Sequence, residues 1–181
     1  MNAGHLRHRL IFQSNTGNTL SASGEPSVAY NTDFTVWGAL EQPPEPSAEV
    51  MDAERVAGVA EALIRVRQRP GINSAQRILH KREGSTLFAG INSSVTSVVI
   101  NEALKFELGP SDYLLIDNEI VRVTAGGAGT TLTIERGSLN TTAASHSTGA
   151  AATRVHPWEI VGTMPSDTVN EEVAIRVRRL T

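Results

Sequence analysis

Apolar and polar positions alternate strictly along much of this chain, and that period predicts strands far more often than helices. GHLRHRLIFQ (Gly4–Gln13) sets Leu6, His8, Leu10 and Phe12 against Arg7, Arg9, Ile11 and Gln13, which predicts a first strand. DFTVWGALEQ (Asp33–Gln42), with Phe34, Val36, Gly38 and Leu40 on one side, predicts a second, which carries Trp37. ALIRVRQRPG places Ile64, Val66 and Gln68 opposite Leu63, Arg65, Arg67 and Arg69. The tetrapeptide IRVR returns in VAIRVRRLT, with Val173, Ile175 and Val177 facing one way and Ala174, Arg176 and Arg178 the other. Each copy reads as a half-buried strand. AQRILHKREG (Ala75–Gly84) predicts a further short strand ending at a charged turn, and HPWEIVGTM (His156–Met164) another.

The segments between are punctuated differently. SNTGNTLSASGEPS is polar and rich in Gly, Ser and Asn, the composition of a surface loop. PPEPS (Pro43–Ser47) removes backbone donors and breaks regular structure. SAEVMDAERVAGVAEAL (Ser47–Leu63) is the single helical candidate: Ser47 can cap, acids fill the first turn, and Val50, Ala53, Ala57 and Ala60 fall near one stripe.

From Leu87 to Val155 the texture changes. This stretch is rich in Ser, Thr, Gly and Ala and holds 4 of the 16 basic residues (Lys105, Arg122, Arg136, Arg154), leaving 12 for the rest of the chain. SSVTSVVIN, DYLLID, EIVRVT and TTLTIERG are compact strand candidates, joined by Asp117-Asn118 and by GGAG (Gly126–Gly129), both hairpin chemistry. The expected organisation is a host domain of residues 1–86 plus 156–181, of about six strands, interrupted by an all-β inserted module of residues 87–155. The entry point expected for the insertion is a surface turn at Lys81–Ser85.

Composition narrows the function. Of 181 residues, 40% are hydrophobic and 19% charged, enough for a core, while aromatics are 4%, so that core is built from Val, Ile, Leu and Ala. A net charge of −3 argues against a globally basic nucleic-acid binder. Without cysteine there is neither a disulfide framework nor a thiolate zinc site, and a reducing cytosol is the expected compartment. No apolar signal core opens the chain and no window approaches the roughly 18 apolar residues of a membrane span, so the expectation is a soluble, non-secreted protein.

With residues 87–155 set aside, the remainder resembles the head-closure (head–tail joining, or stopper) proteins of long-tailed double-stranded DNA phages. The resemblance rests on GHLRHRLIFQ, VWGALE around Trp37, AEALIRVRQRPGINSAQRILH, and WEIVG leading into a charged last strand. Simple family members run from the strand after Arg77-Ile78 directly into the aromatic-x-Ile strand, here Trp158-Glu159-Ile160; about seventy residues intervene in this chain. The intervening YLLIDNEIVRVTAGGAGTTLTIERG and TTAASHSTGAA resemble small β modules of phage tail and virion proteins. The resemblance implies a mainly β barrel subunit of a virion neck, assembled in the bacterial cytoplasm. Such a subunit forms a ring of six or twelve copies below the portal and adaptor. The ring closes the DNA exit channel, docks tail or tail-terminator proteins, and lets packaged DNA through its lumen without sequence-specific binding. It implies no catalysis, cofactor, metal or membrane.

The candidate interface residues are Arg65, Arg67, Arg69, Arg176, Arg178 and Arg179, because guanidinium forks suit carboxylates on a neighbouring subunit, adaptor or tail. The bland alternative is that they are the solvated face of two barrel strands. Phosphate clamps on DNA suit a conducting channel poorly, since DNA must slide through it; the loop Ser14–Val28 or the arm Pro43–Leu63 is the better candidate for the lumen. His5, His8, His146 and His156 show no metal-ligand spacing, Ser145-His146 lacks a nucleophile elbow, and no phosphate loop is present. A second reading makes the inserted module a binder of a host-surface glycan, although Tyr113, Phe88 and Phe106 are few rings for sugar stacking.

Overall fold

The computed structural model of the chain describes residues 5–20, 26–41, 61–103, 108–110, 112–164 and 172–180. Ten strands follow in order: β1 (His8–Leu20), β2 (Pro26–Glu41), β3 (Glu61–Arg67), β4 (Gln76–Thr86), β5 (Ser97–Val99), β6 (Tyr113–Ile116), β7 (Glu119–Ala125), β8 (Thr131–Glu135), β9 (Ala151–Met164) and β10 (Glu172–Arg179). Their sheet order is β10-β3-β2-β1-β4-β9-β6-β7-β8-β5, and β10 also pairs with β9, which closes the first six into a barrel. The fold is mainly β, as the alternation predicts, with a closed six-stranded barrel, as the resemblance implies, and none of the described residues is α-helical.

The chain divides into two compact units, one of residues 1–13, 32–80 and 157–181 and the other of residues 14–31 and 81–156. In the first, the two IRVR strands lie side by side. β3 and β10 run antiparallel with Ile64 opposite Ile175 and Val66 opposite Val173. Ile64, Val66, Ile175 and Val177 are completely buried, packed with Leu10, Phe12, Ile78, Trp158 and Ile160. The register explains why the repeat is tolerated. Arg65 faces Ala174, Arg176 faces Leu63, Arg67 faces Glu172 and Arg178 faces Glu61, so no arginine opposes another. A slip of two residues would keep every side chain on its face but set Arg65 against Arg176, a destabilising like-charge pair.

The second unit has its own core of Leu87, Val98, Ile100, Leu114, Ile116, Val121, Val123, Leu132 and Ile134. β6 is buried along its whole length because β7 and β9 flank it. The two predicted hairpin links form: Asp117 takes a φ of 51° between β6 and β7, and Gly126 takes 82° between β7 and β8. A Cβ at Gly126 would stand 2.2 Å from the Thr131 carbonyl oxygen, so glycine is required there.

Three expectations change. Residues 14–28 are not a loop throughout, since β1 continues to Leu20 and β2 starts at Pro26. Polar composition is only a correlate of loops, and residues such as Asn15 and Thr16 stay exposed on a strand that has no need of an apolar face. Lys81–Ser85 is not a turn but the second half of β4. Charged residues continue along the strand, and β9 runs so close beside it that a Cβ added at Gly84 would stand 3.1–3.3 Å from Thr153 and the Ala152 carbonyl oxygen. The helical candidate 47–63 lies outside the described residues except for Glu61–Leu63, which are β-strand; PPEPS also lies outside them.

Candidate functional site

The arginine face builds upward from the β3–β10 pairing. Alternation sends Arg65 and Arg67 to the outward side of β3, and Arg176 and Arg178 to the outward side of β10. Arg65 donates from Nε to Glu41 Oε2 at 2.9 Å, one strand away on β2. Arg178 donates to Glu159 Oε2 at 2.7 Å, directly across on β9. Arg69, just past β3, holds its guanidinium 3.7 Å from the centroid of the Phe34 ring. Arg179 follows the inward alternation of Val173, Ile175 and Val177 and is half-buried, apart from the other five. The structure thus gathers Arg65, Arg67, Arg176 and Arg178 on adjacent strands, with Arg65 and Arg178 paired to acids of the neighbouring strands β2 and β9.

Arg67 has a different setting. With Leu6, Val36 and Trp37 it lines a groove of about 540 Å³. Trp37 is 53% exposed there, although the other tryptophan, Trp158, is buried in the barrel. Arg9 lies 5.2 Å from the Trp37 ring centroid. An exposed indole with the Arg9 guanidinium against its ring and Arg67 lining the same groove is the composition of a protein–protein anchor point.

The second unit contains a buried charged knot that the sequence reading missed. Glu119, at the start of β7, is 1% exposed and accepts five hydrogen bonds. Arg136 Nε and Nη2 each reach it at 2.8 Å, the Gly137 amide at 2.9 Å, the Ala144 amide at 3.0 Å and His146 Nε2 at 2.9 Å. Arg136 spends its remaining donors on the carbonyls of Asn92, Val95 and Ala144, so all five of its N–H groups are satisfied. On its other edge, His146 Nδ1 meets Asp117 Oδ2 at 2.8 Å. Burial by itself pushes the Glu119 carboxyl up, but hydrogen bonds from Arg136, the Ala144 amide, His146 and the Gly137 amide outweigh it and hold the pKa down at about 2.

This knot is scaffolding by its chemistry, because a carboxylate with five donors on it has no capacity left to take a proton from a substrate. It ties three stretches whose residues stood out in the sequence: DNEIVRVT through Glu119, ERG through Arg136 and ASHST through His146. The available signal was the scarcity of basic residues between 87 and 155. Arg122 pairs with Glu135, Arg136 with Glu119, and Arg154 with Asp112 and Glu83.

The Glu119 pKa carries a sign. Lowered from 4.5 to about 2 in the folded state, it contributes stability that is full above pH ~4.5 and drains away as pH falls toward 2, roughly 3 kcal/mol in all. Urea titrations at pH 6 and pH 2.5 should show this loss for the native chain and a loss smaller by about that amount for Glu119→Gln. Equal acid sensitivity in the two proteins would refute the assignment.

Among the described residues no helix is long and apolar enough to cross a membrane, and no group of three or more His, Asp or Glu side chains is placed to hold a metal ion. Comparison with known proteins adds a family. Residues 1–89 match the family model described as "Phage head completion protein". No curated protein matches the chain. Among solved structures, the solution structure of protein SF1141 from Shigella flexneri 2a is similar at 16% identity and a TM-score of 0.40, over 99% of this chain and 96% of that one.

Proposed function

We propose, from the match of residues 1–89 to the family model of phage head completion proteins, that the chain is a structural neck protein of a tailed phage or prophage. In this reading its copies form a ring of six or twelve at the head–tail junction, close the DNA exit channel after packaging and dock the tail. The observation that carries the reading is the family match itself, which spans β1 to β4, four of the six barrel strands. The work is steric and conformational, not catalytic: loops obstruct or clear the lumen as neighbours bind.

The outward arginines supply the contact chemistry. Arg67 and Arg176 are exposed where Arg65 and Arg178 are half-buried, so these two are the stronger candidates for carboxylates of a neighbouring subunit, adaptor or tail protein. The test is to mix the purified protein with tailless, DNA-filled capsids. Retention of DNA on binding is the expected result, and the Arg67→Glu/Arg176→Glu variant, with its fold intact, should associate at least tenfold more weakly. Capsids that keep leaking DNA with the native protein bound would count against closure.

We also read residues 87–155 as a guest inserted into the barrel. The family match stops at residue 89, close to that boundary. Leu87 and Ala150 are bonded neighbours, the Leu87 amide donating to the Ala150 carbonyl at 2.9 Å, so the chain leaves and returns at adjacent places. Deleting 87–155 and joining the ends with a Gly-Ser linker should leave a folded barrel with Trp158 still shielded from acrylamide. An aggregating product with an exposed indole would show that the boundary is wrong.

A further inference from the structure

The structure assigns to the second unit a binding site for a neutral saccharide, in a pocket of about 340 Å³ beside the Glu119 knot. The volume falls at the small end of the range for ligand cavities, about 300–1,000 Å³. Asn118, Asn140, Thr142 and Ser145 line it, and their side chains make no hydrogen bond within the described residues. Two amides and two hydroxyls around one concavity match a ligand that presents several hydroxyls as paired donors and acceptors. Thr141 also lines the pocket, but its hydroxyl is committed to the Ile120 and Ser138 carbonyls and the Ile120 amide, so it holds the wall in place.

Tyr30 contributes a phenol ring, from a stretch of sequence far from 87–155, and it gives a sugar's apolar face something to lie on. The charges select against other ligands. The acidic side chains Glu119 and Asp117 border the pocket, while the Arg136 guanidinium that binds Glu119 has every donor used, so the site is poorly suited to an anion such as phosphate. A metal ion finds Glu119 already saturated by five donors. The Asp117 carboxylate, 58% exposed, keeps one oxygen clear of His146 and can accept from ligand hydroxyls.

The walls are also preformed. Asp117, Leu139 and Asn140 are the non-glycine residues with positive φ among those described, at 51°, 51° and 58°. Asp117 and Asn140 line the pocket and Leu139 precedes Asn140. Left-handed residues cost energy, and here the knot beneath holds them. This site is independent of the proposed neck role: closure of capsids and saccharide binding can each fail without the other.

Saturation-transfer NMR on the full-length protein with glucose, galactose, mannose, rhamnose and N-acetylglucosamine, each at millimolar concentration, tests it. At least one should receive saturation. Tyr30→Ala should weaken that binding about tenfold, and Tyr30→Phe, which keeps the ring, should stay within about threefold. Asn140→Gly preserves the left-handed backbone while deleting the amide, and should also weaken binding, with the amide spectrum of β6–β8 unchanged. No saturation of any of the five sugars, or saturation that persists undiminished in both Tyr30→Ala and Asn140→Gly, would overturn the assignment.

Discussion

Arg136→Ala is expected to cost about 3–5 kcal/mol, the range for removing one partner of a buried ion pair, and so to take most of the 5–15 kcal/mol that holds a typical domain folded. The reasoning is local. Arg136 is 7% exposed and Glu119 1%, so the variant leaves a buried carboxylate without its cation and without two of its five donors. It also leaves the Asn92, Val95 and Ala144 carbonyls without their donor, and these belong to the segments before β5 and after β8. Lysine is no substitute, since an ammonium cannot reproduce the planar fork that reaches both Glu119 oxygens at 2.8 Å. The companion double variant Arg136→Met/Glu119→Gln removes charge from both sides and should be less damaging than Arg136→Ala alone. Urea unfolding followed by amide exchange of β6–β8 measures both. A loss under 1 kcal/mol for Arg136→Ala would mean that the knot does not hold the second unit together.

The contrast between what alternation revealed and what it hid has a physical cause. The half-buried strands β3 and β10 were legible because one side chain in two is apolar, and Ile64, Val66, Ile175 and Val177 are the residues found at zero exposure. The hairpins at Asp117-Asn118 and Gly126–Gly129 were legible because positive φ narrows residue choice. Period 2 fails where a strand has no buried face. Residues 14–20 lack an apolar stripe and so read as a loop, and the charges of Lys81–Ser85 read as a turn although they lie along β4. Pairing partners were not legible either: the repeat IRVR says that two strands are alike, whereas their antiparallel register becomes visible only when Ile64 is seen opposite Ile175. The Glu119 knot was hidden for a related reason. Its members are 17 and 27 residues apart in sequence, and an isolated Glu, Arg or His in a polar stretch is ordinarily a solvated group. Tyr30 joins its pocket from outside residues 87–155, so the composition of that segment does not show it.

Gly38→Val should be the most damaging of the glycine substitutions in the barrel, costing about 1–3 kcal/mol or more by overpacking. Gly38 shares its strand side with Phe34, Val36 and Leu40, which all pack against the core, and a valine in its place would keep the alternation intact. The packing forbids it. A Cβ at this position would stand 2.4 Å from Leu10 Cδ1, 2.9 Å from the Arg65 carbonyl oxygen and 3.1 Å from Val66 Cγ1. Leu10 could rotate, but the Arg65 carbonyl belongs to the backbone of β3, paired to β2 with Gly38 opposite Val66, and cannot withdraw without opening the barrel wall. Leu10 and Val66 are both fully buried, so the space a side chain would occupy at position 38 is already filled from across the barrel. Gly162 on β9 provides the control. A Cβ there meets nothing within 4 Å, and Gly162→Val should leave stability unchanged or raise it slightly through the β-propensity of valine. Both tryptophans, Trp37 and Trp158, lie in the barrel unit, so urea midpoints read by tryptophan emission report on that unit directly. Equal midpoints for the two variants would show that β2 and β3 approach less closely than the register requires.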